Sequence, residues 1–228
     1  MIEKKIFQYH KDEYSIPVEI KMNMNKILTF YRDYTYTLFT DVTMEEYVKT
    51  NCDSETSSLF FSLSKSSLER YYFFRYIVLN KEGGVFPDIS AAINKHLKLF
   101  VHDVDDFVIG YDLSNNVFHN HVIISDDEHP ILEEILKRVK YNIKNKLYIN
   151  DIDRRMGKIL LTDVIKYYYK KGMGVEMDDT LFKEKMDERI YFEEEDIDFN
   201  FKIMGQDYNT FITSQYSYSI ASTVNFRT

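Results

Sequence analysis

The chain of 228 residues is 44% hydrophobic and 16% aromatic, which is enough to pack the core of one large domain or two small ones. Its formal net charge of -8 argues against a nucleic-acid-binding protein, because such proteins carry a basic face. The single cysteine, Cys52, excludes an internal disulfide and a cysteine zinc site, and no apolar run approaches the ~20 residues of a membrane span. We therefore expect a globular, soluble, cytoplasmic protein.

The first fifty residues alternate between strand and helix patterns. Residues 5–9 and 34–39 are rich in aromatic and β-branched side chains, which is typical of strands. Apolar spacing predicts a helix over 18–30, after the turn at Pro17, and a shorter helix over 44–51. The chain therefore opens as a strand–helix–strand–helix unit.

A helix, a glycine pair and a short apolar strand follow one another in the second quarter of the chain. Ser66 and Glu69 have the spacing of a capping box, and Gly83 is the kind of residue that ends helices, so we predict a helix over 67–82. The strand after it ends on Asp88. In an open α/β sheet, ligands bind beyond the carboxyl ends of the strands. Asp88 is therefore predicted to face a ligand at the rim of the sheet.

Arg75 is the only charged residue within the apolar stripe of this predicted helix. One interpretation pairs it with a carboxylate at the margin of the core, or lets its guanidinium reach water. The other has it bind a phosphate, for which its planar set of donors is suited. The spacing alone leaves both interpretations open.

The same alternation continues through the third quarter of the chain. Strands are predicted over 107–111 and 122–125, and a helix begins at Pro130 and continues to about residue 146. Another helix is predicted over 159–171. Strands and helices that alternate in this way indicate an α/β fold, with a mostly parallel mixed sheet and helices on both faces.

The last quarter of the chain has a different composition. Acidic residues crowd 176–198, and we expect a solvated loop there rather than a metal-binding cluster. The stretch 201–226 is expected to cover one side of the sheet. Its aromatic side chains are expected to pack inward: Tyr208, Phe211, Tyr216, Tyr218 and Phe226. We thus predict a core over 1–175 and a C-terminal segment over 176–228 that packs on the same domain.

Five blocks of the sequence match the pattern of a known family. The best is Arg75-Tyr76, Leu79, Gly83-Gly84-Val85-Phe86 and Asp88, in register with Arg-Tyr-x-x-Leu-x-x-x-Gly-Gly-x-Tyr-x-Asp-x-Asp. The others are 5–10, which keeps Gln8; 31–39, closed by Asp41; Asn120 with His129-Pro130; and Gly157 with Leu161-Thr162. On these residues the chain resembles the sugar transferases of the DXD type, grouped with yeast-type mannosyltransferases and bacterial capsular-polysaccharide transferases. The likeness covers roughly the first three quarters of the chain.

The resemblance implies a GT-A fold in which 1–175 binds a nucleotide sugar. It implies a transferase that moves a sugar from a UDP- or GDP-sugar donor to the hydroxyl of a glycan or another acceptor, with retention of configuration. It also implies a Mn²⁺ or Mg²⁺ ion at Asp88 and Ser90, since a divalent ion with oxygen ligands neutralises a diphosphate well.

The candidate site residues follow from this match. We count Asp88, Arg75 and Asp112 as candidate catalytic residues, with Arg75 bracing the diphosphate. The predicted donor-binding positions are Gln8, Tyr9, Arg75, Gly83, Gly84 and Asn120. The glycine pair is expected to let helix and strand approach each other closely.

Three departures from the family pattern fall on its functional positions. Ser90 replaces the second acid, Tyr72 replaces an aspartate three residues before the arginine, and no histidine follows His129. A weak metal site, a metal-independent transferase and an inactive relative that serves as a binding or scaffolding module are all compatible with them. A nucleotide-binding protein without sugar chemistry is a further alternative.

Two clusters have both a functional and a plain interpretation. His119 and His121 would lie on one edge of a strand and would replace the lost metal ligands together with Asp112, although histidines at strand ends commonly have no such role. The run 151–155 would meet an acceptor or a phosphate, or it is simply a charged helix start.

Overall fold

The computed structural model describes residues 1–112 and 115–174, and the backbone of three further strand segments, 189–194, 197–204 and 212–213. The elements in the first half are β1 (Lys5–Tyr9), α1 (Val18–Phe30), β2 (Thr35–Phe39), α2 (Asp41–Asn51), α3 (Ser54–Ser62), α4 (Leu68–Glu82), β3 (Gly84–Pro87) and β4 (Ala92–Ile93). A 3-10 turn (Leu97–Leu99) leads to β5 (Phe107–Asp112), β6 (Val117–Ser125), α5 (Pro130–Lys144), α6 (Ile152–Arg155), α7 (Lys158–Met173), β7 (Arg189–Glu194), β8 (Ile197–Met204) and β9 (Ile212–Thr213).

Seven of these strands form one mixed sheet in the order β2-β1-β3-β6-β5-β8-β7. Strand β1 is parallel to β2 and β3, and β5 is parallel to β8, whereas β6 and β7 are antiparallel to their neighbours. Five of the seven strands therefore run in one direction, and their carboxyl ends lie along one edge. The prediction of a mostly parallel mixed sheet is confirmed.

Each face of the sheet carries its own apolar core. Phe7, Phe86 and Ile123 pack on one face with the helices α2 to α5 and α7. Their sequence neighbours Ile6 and Val85 point to the other face, where α1 and the 3-10 turn cover them. Because side chains alternate along a strand, such uninterrupted apolar runs are buried on both sides, and helices lie on both faces as predicted.

Helix α4 begins one residue later than the predicted cap. The hydroxyl of Ser67 accepts the hydrogen bond from the Arg70 backbone N–H at 3.2 Å, so Ser67 is the N-cap. The capping-box assignment to Ser66 is wrong, because Ser66 has a φ of 54° and its hydroxyl donates to Asp41 instead. The other end is as predicted, since Gly83 has a φ of 60° and its N–H donates to Leu79 at 3.0 Å.

The glycine pair lets β3 lie close to its neighbours. A Cβ on Gly84, whose φ is 100°, would stand 2.6 Å from the carbonyl oxygen of Lys5 on β1. A Cβ on Gly83 would stand 2.9 Å from the Asp127 backbone nitrogen, in the loop after β6. Both positions therefore need glycine, and the close approach is between β3 and its surroundings.

Three other expectations are corrected. Helix α3 was not predicted, because its Ser-Glu-Thr-Ser-Ser start is typical of a loop, and β6 begins at Val117 rather than at residue 122. The predicted acidic loop over 176–198 is wrong for 189–194 and 197–198, which are strand residues. The five aromatic residues expected to pack inward lie outside the described residues, and the division of the chain at residue 175 stays a prediction. No helix in the described part of the chain is both long and apolar enough to cross a bilayer.

Candidate functional site

Asp88 lies immediately after β3, at the carboxyl edge of the sheet. Its backbone N–H donates to the His121 carbonyl at 2.6 Å, which continues the pairing with β6 by one residue. Its Oδ1 atom accepts hydrogen bonds from the Ser90 N–H at 2.9 Å and the Ser90 hydroxyl at 2.6 Å. Its Oδ2 atom accepts none from the described residues. The carboxylate is thus held by one oxygen and leaves the other for a ligand.

A wide bulge in β6 faces Asp88. Ile109 pairs with Ile123 and Tyr111 pairs with Phe118, so one residue of β5, Gly110, lies opposite four residues of β6. The three extra residues are His119, Asn120 and His121. Bulges of this kind are frequent next to active sites, where they redirect side chains.

Arg75 reaches the same bulge from α4. Its side chain is 0% exposed, and Nη1 donates to the Asn120 carbonyl. Its guanidinium carbon lies 5.4, 5.3 and 5.5 Å from the ring centroids of Tyr71, Tyr72 and Tyr76. This aromatic cage stabilises a cation through the negative faces of the rings.

Both plain accounts of Arg75 are wrong. The side chain does not reach water, and no carboxylate of the described residues lies within 4.0 Å of it. Its Nε and Nη2 atoms have no hydrogen-bond partner in the described part of the structure. A buried donor without a partner costs about 1–3 kcal/mol, and more when it is charged. Arg75 is therefore a buried cation with two unpartnered nitrogens, Nε and Nη2, and Asp88 is close enough to interact with it electrostatically.

The titratable groups around Arg75 are held in their neutral forms. Burial raises the pKa of the Tyr71 phenol, and the Asp88 carboxylate raises it further. Burial also raises the pKa of Tyr72 to about 12. The pKa of His119 is lowered to about 4, first by burial and then by His121, against an opposing effect of Asp112. Burial therefore favours the neutral forms of Tyr71, Tyr72 and His119 around the Arg75 guanidinium.

Gln8 and Tyr9 lie at the carboxyl end of β1 and are buried. The Gln8 Oε1 atom accepts from the Tyr36 hydroxyl at 2.9 Å, and its Nε2 atom makes a long contact of 3.5 Å with the Asp88 carbonyl. The Tyr9 hydroxyl donates to Asp41 at 2.6 Å. Both side chains are placed to support the backbone of the site.

The remaining predicted site residues divide between the two edges of the sheet. Asp112 ends β5 at the carboxyl edge, where it accepts from the side chain of Asn115 at 2.7 Å and interacts electrostatically with His119. Gly83 and Gly84 lie at the start of β3, one four-residue strand, roughly 13 Å, away from Asp88. The fold thus brings together Asp88, Ser90, Arg75, Gln8, Asn120 and Asp112, and it leaves the glycine pair at the opposite edge.

Sequence reasoning missed several members of the cluster. Tyr71 was assigned only to the apolar stripe of its helix, although its position four residues before Arg75 places the two on one face. The ion pair between Lys158 and Asp153, at 3.5 Å, also borders the site; Asp153 belongs to the run 151–155 singled out in the sequence, whereas Lys158 was missed. Lys158 interacts electrostatically with His121, and Asp153 with Tyr72. No sequence spacing connects these residues, since they come from α6 and α7.

The donor atoms of the site suit a metal ion only in a limited way. Among the described residues, no group of three or more His, Cys, Asp or Glu side chains could hold a metal ion. The free Oδ2 of Asp88 is one oxygen ligand, and the Ser90 hydroxyl is engaged with Asp88. Mg²⁺ sites often use one or two carboxylates and complete their coordination with substrate phosphates and water. The residues present fit that kind of site.

The mixed α/β sheet with helices on both faces is consistent with a GT-A-like glycosyltransferase fold. The chain is similar in structure to the solved "PaToxG Glycosyltransferase", with a TM-score of 0.54 and 14% sequence identity, over 73% of this chain and 69% of that one. At this identity the likeness establishes the fold. No family model matches the sequence, and no curated protein matches it.

Proposed function

We propose that this protein is a glycosyltransferase that moves a sugar from a UDP- or GDP-sugar to an acceptor hydroxyl, with retention of configuration. The observation that carries the proposal is the pair formed by Asp88 and Arg75 at the carboxyl edge of a glycosyltransferase fold. Asp88 has an oxygen, Oδ2, that accepts no hydrogen bond from the described residues, and Arg75 has two guanidinium nitrogens without partners there. Together they match a diphosphate, which needs both a cation and a site for its counter-ion.

The reaction places modest demands on the protein. The bond between the sugar C1 and the diphosphate oxygen breaks, a bond from C1 to the acceptor oxygen forms, and the acceptor proton passes to the departing diphosphate. The negative charge that develops on the leaving diphosphate needs fixed donors, and a buried cation is most effective because little water screens it. Arg75 supplies that charge, and Tyr72, the only partly exposed ring of its cage, must turn for the donor to contact it.

A divalent ion would enter with the donor. The proposed ligand from the protein is Asp88 Oδ2, with Ser90 turning its hydroxyl from Asp88 to the ion. When bound, the Mn²⁺ or Mg²⁺ ion would neutralise part of the diphosphate charge. Gln8, Asn120 and Asp112 would position the backbone of β3 and the bulge around the bound nucleotide.

The test is the release of UDP or GDP from a panel of nucleotide sugars, with and without Mn²⁺. We expect turnover with at least one donor, and we expect Asp88→Asn to reduce it at least about a hundredfold, as is common when a charge-stabilising group is removed. Asp127→Asn is the matched control, because Asp127 is an exposed acid at the opposite edge of the sheet. The absence of both turnover and binding for every donor in the panel would refute the proposal.

A second candidate is a catalytically inactive module that keeps the fold in order to bind a partner. Ser90 favours it, because a neutral hydroxyl stands where a second carboxylate would strengthen the ion site. Asp88→Ala separates the two candidates. An enzyme loses nucleotide release with this change, whereas a binding module keeps its affinity for its partner and shows no release in either form.

A further inference from the structure

A cavity of about 560 Å³ lies beside the Asp88 site, between α5, α6 and α7. Its volume is within the usual range for small-molecule sites. It borders the proposed active site through consecutive residues: Asp153 and Lys158 face the Arg75 cluster, whereas their neighbours Arg154 and Ile159 line the cavity. Nothing in the proposed transfer chemistry uses this space.

Two exposed tyrosines stand over the cavity. Tyr141 on α5 is 61% exposed and Tyr148 is 48% exposed, so both rings present much of their surface to solvent. Tyr148 has a φ of 53°, a conformation that is uncommon for a bulky residue. Its backbone carbonyl accepts from the Asp151 N–H at 3.0 Å, which fixes the loop in this form. The strained backbone conformation of Tyr148 thus places its ring beside the cavity.

The polar groups of the cavity nearly balance in charge. Its lining has three basic side chains and two acidic ones, among them Arg138, Arg154 and Asp163. Arg138 already pairs with Glu134 at 2.7 Å. A phosphate or a nucleic acid would need a clear excess of positive charge, and a lipid chain would need a lining without charges. The cavity instead alternates donors, acceptors and aromatic faces.

We infer that the cavity binds a neutral oligosaccharide. Sugar rings have apolar faces of C–H groups that pack on tyrosine, and hydroxyls around the rim that pair with donors and acceptors together. A second depression, of about 470 Å³, shares Lys137 and Tyr141 with the cavity and continues along the opposite side of α5. This continuity fits a chain of several sugars rather than a single ring. The idea that the bound oligosaccharide is the acceptor rests on the proposed function, whereas the binding of the oligosaccharide does not.

The test is binding of neutral tetrasaccharides of glucose, mannose and N-acetylglucosamine to the full chain, measured by ligand-observed NMR and calorimetry without any donor. We expect at least one to bind, and Tyr141→Ala and Tyr148→Ala each to weaken it about fivefold, as is typical for loss of one aromatic contact of ~1 kcal/mol. Tyr167→Ala is the matched control, since Tyr167 is 43% exposed on α7 and outside the cavity lining. Circular dichroism spectra check that each variant is folded.

The outcomes separate this inference from the proposed function. Oligosaccharide binding that depends on the two tyrosines, in a protein without transfer activity, supports the inference and counts against the transferase. Transfer activity without tyrosine-dependent oligosaccharide binding overturns the inference alone. Preferential binding of polygalacturonate, or of phosphatidylserine vesicles, with loss in the same tyrosine variants would also overturn it, because the surface would then recognise an anion or a membrane.

Discussion

The close approach of β3 to β1 gives a stability prediction for which another glycine of the same chain provides the control. Gly84→Ala introduces a Cβ at 2.6 Å from the Lys5 carbonyl oxygen and 3.0 Å from the Lys5 Cβ, at a φ of 100°. The backbone strain costs about 1–2 kcal/mol. The displacement of a paired strand adds about 1–3 kcal/mol, the usual cost of overpacking. We expect a total loss of about 3–4 kcal/mol.

Gly174→Ala is the internal comparison for this prediction. Gly174 has a φ of 67° at the end of α7, but nothing lies within 4 Å of its missing Cβ. Gly174→Ala therefore introduces backbone strain without a steric clash, and it should lower the free energy of unfolding by about 1 kcal/mol. For a chain of this size the two losses correspond to falls in Tm of about 10 °C and about 3 °C.

Urea unfolding followed by circular dichroism measures both variants against the parent chain. We expect a lower midpoint with an unchanged slope for each, and a difference of about 2–3 kcal/mol between them. Equal losses would refute the reasoning, because they would mean that β3 has room to move away from β1. The same assay bears on the site, since Asp88 follows directly at the end of β3.

Three further predictions concern the site. Arg75→Met should leave the free energy of unfolding unchanged or raise it, because it replaces a buried cation with two unpartnered nitrogens by an apolar side chain, while it abolishes nucleotide-sugar binding; a large loss of stability in urea would contradict this. The pKa of His119 is about 4 in the folded chain and 6.5 in the unfolded chain, so the unfolded chain takes up the proton first as the pH falls. The stability that comes from burying neutral His119 is therefore complete above pH 6.5 and is lost as the pH falls toward 4. Unfolding curves of the parent and of His119→Asn should therefore diverge over that window, and parallel pH profiles would contradict the assignment. Ser90→Asp should lower the Tm without metal, by repulsion from Asp88, and should raise the response of the Tm to Mn²⁺ above that of the parent and of a surface control, Ser62→Asp; an unchanged response to Mn²⁺ would count against an ion site at these positions.

The regular elements of the fold were predictable because their periodicity is strong. Strand β1 and helix α1 have the predicted bounds, and both follow from apolar spacing. Helix α3 could not be found in this way, because its first turn consists of residues that favour loops, and only the Asp53 side chain, which caps the Thr56 N–H at 2.8 Å, marks its start. The error at Ser66 has a similar cause: two adjacent serines offer the same cap, and the backbone angle decides between them.

The site was predictable only in part. The place of Asp88 follows from strand direction, and the resemblance adds Gln8, Arg75 and Asn120, which the fold brings to the same region. The distance between the glycine pair and Asp88 follows from four residues of extended chain, so their separation could have been worked out in advance. The tyrosine cage and the pair formed by Asp153 and Lys158 depend on tertiary packing that no local spacing encodes.

The bulge in β6 also limits how the chain can change length. Phe118 and Ile123 are five positions apart, yet both point into the same core, which an unbroken strand would not allow. The odd number of inserted residues reverses the alternation between them. Losing all three inserted residues would restore an ordinary ladder, because Phe118 and Ile123 would then be two positions apart and still on one face. The histidine segment can therefore be removed as a whole without turning either half of the strand inside out.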